Sequence, residues 1–440
     1  MVYNKSAQAS RSAAMLLFLI GAFSRTQIGM GGKIGISELF MVACAPIVLF
    51  YSYRALKYDK VLWFFVLVLL WLCGAVYVDF SIKNYFPFMM RGIAVPITVF
   101  SGVICLYGLL RQNPENLKWL LLGMAISSVA AIFVFQGGIA GEIAMEEGVE
   151  AGVENIMSYK LFWVNQVTTW LTLPIVAWYK KTPKWYMLIA MVVIIGFSLM
   201  SGARSLFLVN VISLALLLLG GKTRTSIAFS RKHYVAMVAI IILAAVGANV
   251  AYRYAVVAGY MGNNELTKYE VQTAEGSNIL RLLMAGRGEF FIGLIAALDK
   301  PLVGHGSVAL DDGRYRIDFL NKYGSDEEIA RTIRMQTKHS GELFHIPSHS
   351  HIVCYWMWHG IFALIFWLST IILAIRTLTR RLHIIPAWYG YFAIMIPMFF
   401  WDVFFSPFSR RVMYVGLFSA FLLVSKFAQE EAKGITHRFE

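Results

Sequence analysis

From Val61 to Val78 the chain reads VLWFFVLVLLWLCGAVYV, without one charged side chain. A helix of that length reaches across a hydrocarbon core of about 30 Å. The pattern recurs: about twelve apolar spans centre on residues 14–31, 34–52, 61–79, 87–110, 118–137, 161–179, 185–201, 205–221, 234–252, 350–375, 384–403 and 411–427. Of the 440 residues, 58% are hydrophobic. A soluble protein of this size cannot bury that much apolar surface, so lipid must cover it. The expected fold is an all-α integral membrane protein.

The formal charge of +14 would suit nucleic acid if it were gathered in one patch. It is instead spread over short loops, such as Arg54, Lys57 and Lys60, then Lys180, Lys181 and Lys184, then Arg376, Arg380 and Arg381. That is the charge pattern of membrane topology, and no nucleic-acid partner is expected. The alternate loops are poor in positive charge; residues 138–160 carry Glu142, Glu146, Glu147, Glu150 and Glu154 against Lys160. The positive set therefore faces the cytoplasm, both termini with it, and an even number of spans agrees. Cys44, Cys73, Cys105 and Cys354 all lie in apolar segments and read as small buried hydrophobes. Arg25, Thr26 and Gln27 follow the first apolar run where a cleavage site would carry small residues, so a signal peptide is not expected.

Four regions follow: helices one to nine in 1–252, a polar loop in 253–348, helices ten to twelve in 349–427, and a cytoplasmic tail in 428–440. The loop faces outward, to the periplasm or its equivalent, and is far longer than a connection between helices requires. Residues 277–299 have helical periodicity. Ser277 or Asn278 caps the helix, Leu280, Leu283, Met284, Phe291, Leu294 and Leu298 form one stripe, and Pro301 and Gly304 end it. Such a helix suits a membrane surface. Residues 311–342 read as a solvated, mixed-charge cap.

Charge at the outer membrane edge marks the candidate residues. Arg204 sits in a break between two apolar runs, and its flat guanidinium suits a phosphate or diphosphate; as a bland alternative it snorkels to headgroups. Arg287, between Gly286 and Gly288, either meets a ligand or pairs with Glu289. Arg25 and Arg91 lie within spans near the outer leaflet, and Arg410 and Arg411 stand beside Asp402, where an ion pair is the plain reading. His345-x3-His349-Ser350-His351 has loosely metal-like spacing. Pro347 forces an extended turn between these histidines, and no metal is expected. His349, where polar loop meets apolar span, is the candidate general base, with a structural helix cap as the alternative. His359 lies deeper and reads as a packed histidine bonded to a neighbouring helix.

Together these pieces resemble the O-antigen polymerase and O-antigen ligase family of bacterial envelope glycosyltransferases. The resemblance rests on four features: the Ser201-x-x-Arg204-Ser205 break, Arg287-x-x-Phe290 running to Pro301-x-x-Gly304-x-Gly306, His349-Ser350 followed by Gly360, and about twelve spans with one large outer loop before that histidine. Ala363 stands where the family usually has a second glycine, and Ser350 where it usually has asparagine, which favours the polymerase over the ligase. The resemblance implies the architecture of lipid-linked (C-type) glycosyltransferases in the bacterial inner membrane. It implies an undecaprenyl-diphosphate-linked glycan as donor, membrane lipid around it, and a chain-length regulator protein as partner. A sugar hydroxyl attacks the anomeric carbon and the lipid diphosphate leaves. Arg204 and Arg287 stabilise the growing negative charge, Arg91 and Arg410 complete the diphosphate-binding set, and His349 takes the proton. No cofactor or metal is implied. A ligase transferring the glycan to lipid A core or protein is the alternative in the same class. A lipid-linked sugar flippase or transporter, reading Arg25 and Arg91 as an anion site, is the alternative outside it.

Overall fold

The computed structural model describes residues 2–29, 33–58, 61–134, 184–200, 204–220, 288–311, 314–323, 344–347, 349–381, 384–406 and 411–433, with isolated positions between 247 and 266. The expected spans at 161–179 and 234–252, the acidic loop at 138–160, and Arg287 and Arg410 lie outside the described residues, apart from isolated helical positions at 247 and 250.

Helices make up nearly all of what is described. In chain order they are α1 (Val2–Ala22), α2 (Ile36–Tyr58), α3 (Val61–Ser81), α4 (Phe86–Gln112), α5 (Leu117–Val134), α6 (Lys184–Met200), α7 (Arg204–Gly220), α8 (Gly288–Asp299), α9 (Arg314–Tyr323), α10 (His351–His359), α11 (Ile361–Arg380), α12 (Tyr389–Phe405) and α13 (Arg411–Ala432). Two short antiparallel pairs join them: β1 (Gln27–Gly29) with β2 (Lys33–Gly35), and β3 (Leu310–Asp311) with β4 (Phe344–His345). Among the described residues four helices, α3, α4, α11 and α13, are long and apolar enough to cross a membrane.

α4 and α13 form the centre. In their most apolar stretches 78% and 89% of residues are buried, against 44% in α3 and 33% in α11. The outer helices instead present apolar side chains outward, among them Trp63 at 72% exposure, Val192 at 59% and Phe50 at 81%. Apolar residues buried on the bundle side and bare on the other are what a lipid solvent selects. The core is rich in aromatic contacts, with Trp71 stacked on Phe366 at 4.8 Å and Phe392 on Phe421 at 5.9 Å.

The helix ends sort into two sets. At one end the α4–α5 turn accepts a hydrogen bond at Pro114 O from Trp388 Nε1, 3.0 Å, and Tyr389 Oη donates to Leu216 O near the end of α7. At the other end Arg411 of α13 pairs with Glu38 of α2 at 2.9 Å, and Ser350 Oγ donates to Val403 O of α12 at 2.9 Å.

Three expectations need correction. The first span was set at 14–31, but α1 ends at Ala22 and Gln27–Gly29 pairs with Lys33–Gly35, so Arg25 lies in a turn and not within a span. Gly29 and Gly35 in that short glycine-rich stretch disfavour further helix. The span at 350–375 is two helices, broken at Gly360, whose φ of 70° an L-residue rarely adopts. A Cβ there would sit 2.1 Å from Leu302 O. The apolar stripe of α8 also differs. Ile292, Ala296 and Ala297 pack into a satellite core with Phe319 and Met357, Phe290 and Leu294 meet the main core, and Leu298 is 59% exposed. α8 is therefore a wedge between two apolar clusters. The helical reading of 288–299 and its end at Pro301 agree with the structure, while 277–287 lies outside the described residues.

Gly360→Ala should lower the melting temperature of the detergent-solubilised protein strongly, since a left-handed backbone alone costs about 1–3 kcal/mol before the clash with Leu302 is counted. Gly196→Ala on α6, where a Cβ would meet nothing within 4 Å, is the control and should leave melting unchanged or slightly raised.

Candidate functional site

Breaking a helix inside an apolar bundle leaves carbonyl and amide groups without their helical partners. Here the turn after α8 supplies them. His305 N donates to Met357 O at 2.7 Å, Gly306 N to Trp358 O at 2.9 Å, and Leu302 O accepts from Ile361 N at 3.0 Å. Trp356 Nε1 donates to Pro301 O at 2.8 Å. The Pro301-Gly304-Gly306 motif and the histidine–glycine motif, far apart in sequence, are thus the two halves of one junction. Gly304 and Gly306 both adopt positive φ to make it.

The start of α10 lies at the end of the bundle that also holds the Arg411–Glu38 pair. Ser350 is the N-cap: its Oγ accepts from Val353 N at 3.2 Å while donating to Val403 O. Serine is among the residues that cap helix N-termini well. His349 immediately precedes the cap and its side chain is 53% exposed. Its Nδ1 abuts Oε2 of Glu289, in the first turn of α8. Sequence reading placed no carboxylate near this histidine; the α8–α10 packing brings one from 60 residues away.

The neighbouring histidines face elsewhere. His345, in β4, stacks edge-on against Phe88 of α4 at 5.6 Å, and the charge of Arg91 reaches it. His351 is fully buried, with its ring 5.2 Å from Trp367 and 5.3 Å from Tyr414. Among the described residues no three metal-ligating side chains converge.

Arg91 is exposed in the second turn of α4, and its field, like that of Arg411 and Glu38, reaches Tyr355 of α10. Arg411 pairs with Glu38 and not with Asp402, which instead accepts from Tyr414 Oη. Asp402 and Tyr414 are both buried, whereas Glu38 lies where the N-terminus of α2 meets that of α13. Arg204 opens α7. That helix runs antiparallel to α12, and 12 residues at about 1.5 Å each set Arg204 about 18 Å from the Tyr389–Leu216 contact, near the level of Val403. His349, Arg91, Arg411 and the start of Arg204's helix therefore occupy one end of the bundle.

Beneath this end is a polar network that sequence reading did not assemble. Asp79, Ser307, His359 and Trp71 are all essentially buried. Trp71 Nε1 donates to His359 Nδ1 at 2.8 Å, so the imidazole proton is on Nε2, which donates to Ser307 Oγ at 3.0 Å. Ser307 Oγ donates to Asp79 Oδ2 at 2.5 Å, and Ser307 N and Asn84 Nδ2 donate to Oδ1 at 2.7 and 2.8 Å. A nucleophilic serine would donate to its histidine; this one accepts from it, so the network is a lock and not a nucleophile. It ties the 301–307 turn to α3, and His359 is bonded to a neighbouring helix, as expected. The sign in the sequence was Asp79, the single charge between Val61 and Ile82.

The loop carries its own electrostatics. Burial holds the imidazoles of His305 and His345 below their ordinary value, and Arg91 adds to the effect at His345. His305 Nε2 donates to Ala296 O at 2.8 Å, tethering the turn to α8. Asp299 accepts from Tyr315 Oη at 2.7 Å; that bond holds the carboxyl below its ordinary range and, after burial, helps push the phenol up.

No protein-family model matches this chain, and no curated protein matches it significantly.

Depressed histidines bind fewer protons folded than unfolded, so the stability they contribute is present above the unfolded value of 6.5 and is lost as pH falls below it. Melting temperature should fall as pH drops below about 6.5. His305→Gln, which keeps a donor for Ala296 O, should flatten that dependence. An unchanged slope in the variant would assign the effect elsewhere.

Proposed function

We propose that this protein is a polysaccharide repeat-unit polymerase of the O-antigen type, set in a bacterial inner membrane with the His349 end facing the periplasm. The observation that carries the reading is His349 itself: an imidazole half-exposed at the open end of an otherwise buried half-helix, touching a carboxylate, with arginine charge on neighbouring helices at the same end.

The chemistry needs those parts. The acceptor's hydroxyl oxygen bonds to the anomeric carbon of the donor glycan while the bond from that carbon to the diphosphate breaks. The electron pair leaves with undecaprenyl diphosphate, whose negative charge grows as the bond stretches. Arg204 and Arg287 are assigned to that charge, with Arg91 and Arg410 as further diphosphate contacts; fixed cations in a poorly solvated site each contribute about 10²–10³ in rate. Arg411, occupied by Glu38, is not assigned a substrate contact. The hydroxyl proton goes to His349, a step for which a positioned base contributes about 10²–10⁴. The exposed apolar flanks of α3 and α4, including Phe80, Phe86 and Met90, give the polyprenyl tail a lipid-facing approach to this end.

His349→Ala, Arg204→Ala and Arg287→Ala should each leave the protein in the membrane but collapse the surface polysaccharide ladder to single repeat units on gels. Long chains retained on the lipid carrier would point to a ligase, and a normal ladder in all three variants would reject the proposal.

A further inference from the structure

We infer that Glu289 is a positioning residue for this reaction, holding His349 in the tautomer whose Nε2 receives the acceptor proton. The inference rests on the reading of His349 as general base. The contact is specific at the atomic level. Glu289 Oε2 lies against Nδ1 of His349, and that oxygen, closed off from solvent, has no hydrogen-bond partner besides this contact among the described residues. An ionised carboxylate only accepts hydrogen bonds, so the nitrogen it meets carries the proton. The lone pair of the neutral ring then lies on Nε2.

The two side chains come from different elements, and the fold fixes both. Glu289 sits in the first turn of α8, whose Ile292, Ala296 and Ala297 are clamped in the satellite core with Met357 of α10. His349 is held by the Ser350 cap and its bond to Val403 O. An ion pair this exposed contributes little to stability, so stability alone gives a weak reason for the arrangement. As a base–orienter pair it has a clear one. When the acceptor oxygen attacks, its proton moves to Nε2 and the ring becomes an imidazolium, donating from both nitrogens. Glu289 stays ionised and accepts from Nδ1–H throughout, balancing the charge that appears on the ring. The oxygen–carbon bond forms, the carbon–diphosphate bond breaks with its electron pair, and no further reactant is required.

The test uses the purified full-length protein in detergent, with lipid-linked repeat units extracted from cells lacking its gene. Glu289→Gln should lower kcat about ten- to a hundredfold, less than the full contribution of a base, and leave KM within about twofold. Glu289→Asp should recover part of the loss. Adding Glu289→Gln to His349→Ala should change nothing further, because a residue acting only through the histidine has nothing left to act on. Wild-type kcat in Glu289→Gln while His349→Ala is inactive would overturn the inference alone. Independent, multiplying losses in the double variant would overturn it too, and assign Glu289 a structural role. Full activity in His349→Ala would remove the reading of the base, and the inference with it.

Discussion

The break at Gly360 is the constraint on which the rest of the molecule turns. A helix interrupted in an apolar bundle has no water to satisfy its loose amides and carbonyls, and each unmade bond costs about 1–3 kcal/mol. The backbone from Leu302 to Gly306 meets that demand at Met357, Trp358 and Ile361. The segment after α8 is therefore part of the bundle and not an appendage. Once it is docked, α8 lies between the two apolar clusters, and its Glu289 meets His349. Ser307 arrives with it and closes on Asp79, whose buried carboxyl would otherwise be an unmatched charge.

Most of the helical plan was legible because lipid imposes a simple rule on composition. The apolar runs at 61–79, 87–110, 185–201 and 205–221 return as α3, α4, α6 and α7 with ends shifted by a few residues. What failed was local. The hairpin after α1 has too few residues to show a period, and the break at Gly360 hides in a run that is apolar on both sides of it. Periodicity also cannot say which of two apolar clusters a helix faces, which is why the buried side of α8 came out as Ile292 and Ala296 and not Leu298.

At the candidate site, residue types were legible and partners were not. His349 stood out by its place at the edge of a span, and Pro301, Gly304, Gly306 and Gly360 by their spacing. That the 302–306 turn bonds to Met357, Trp358 and Ile361 in a distant part of the chain is a fact of tertiary hydrogen bonding that no linear pattern encodes. The same holds for Glu289 and His349, and for Trp71 and His359, 288 residues apart. Asp79 is the exception, since a lone carboxyl in an apolar run already demands a partner.

The short half-helix has an electrostatic consequence for the proposed chemistry. The N-terminal turn of α10 directs the positive end of its dipole toward the segment that holds His349. That end attracts an anion and opposes a cation. In the proposed reaction a diphosphate approaching this end of the bundle gains from it, but an imidazolium formed there during proton transfer is penalised. Glu289, set against Nδ1, supplies the opposing charge at the one atom where it offsets the penalty without standing between the ring and an acceptor. For a histidine proposed to accept a proton at the head of a helix, a carboxylate behind the ring offsets the charge that forms, and α8 is the element that delivers one.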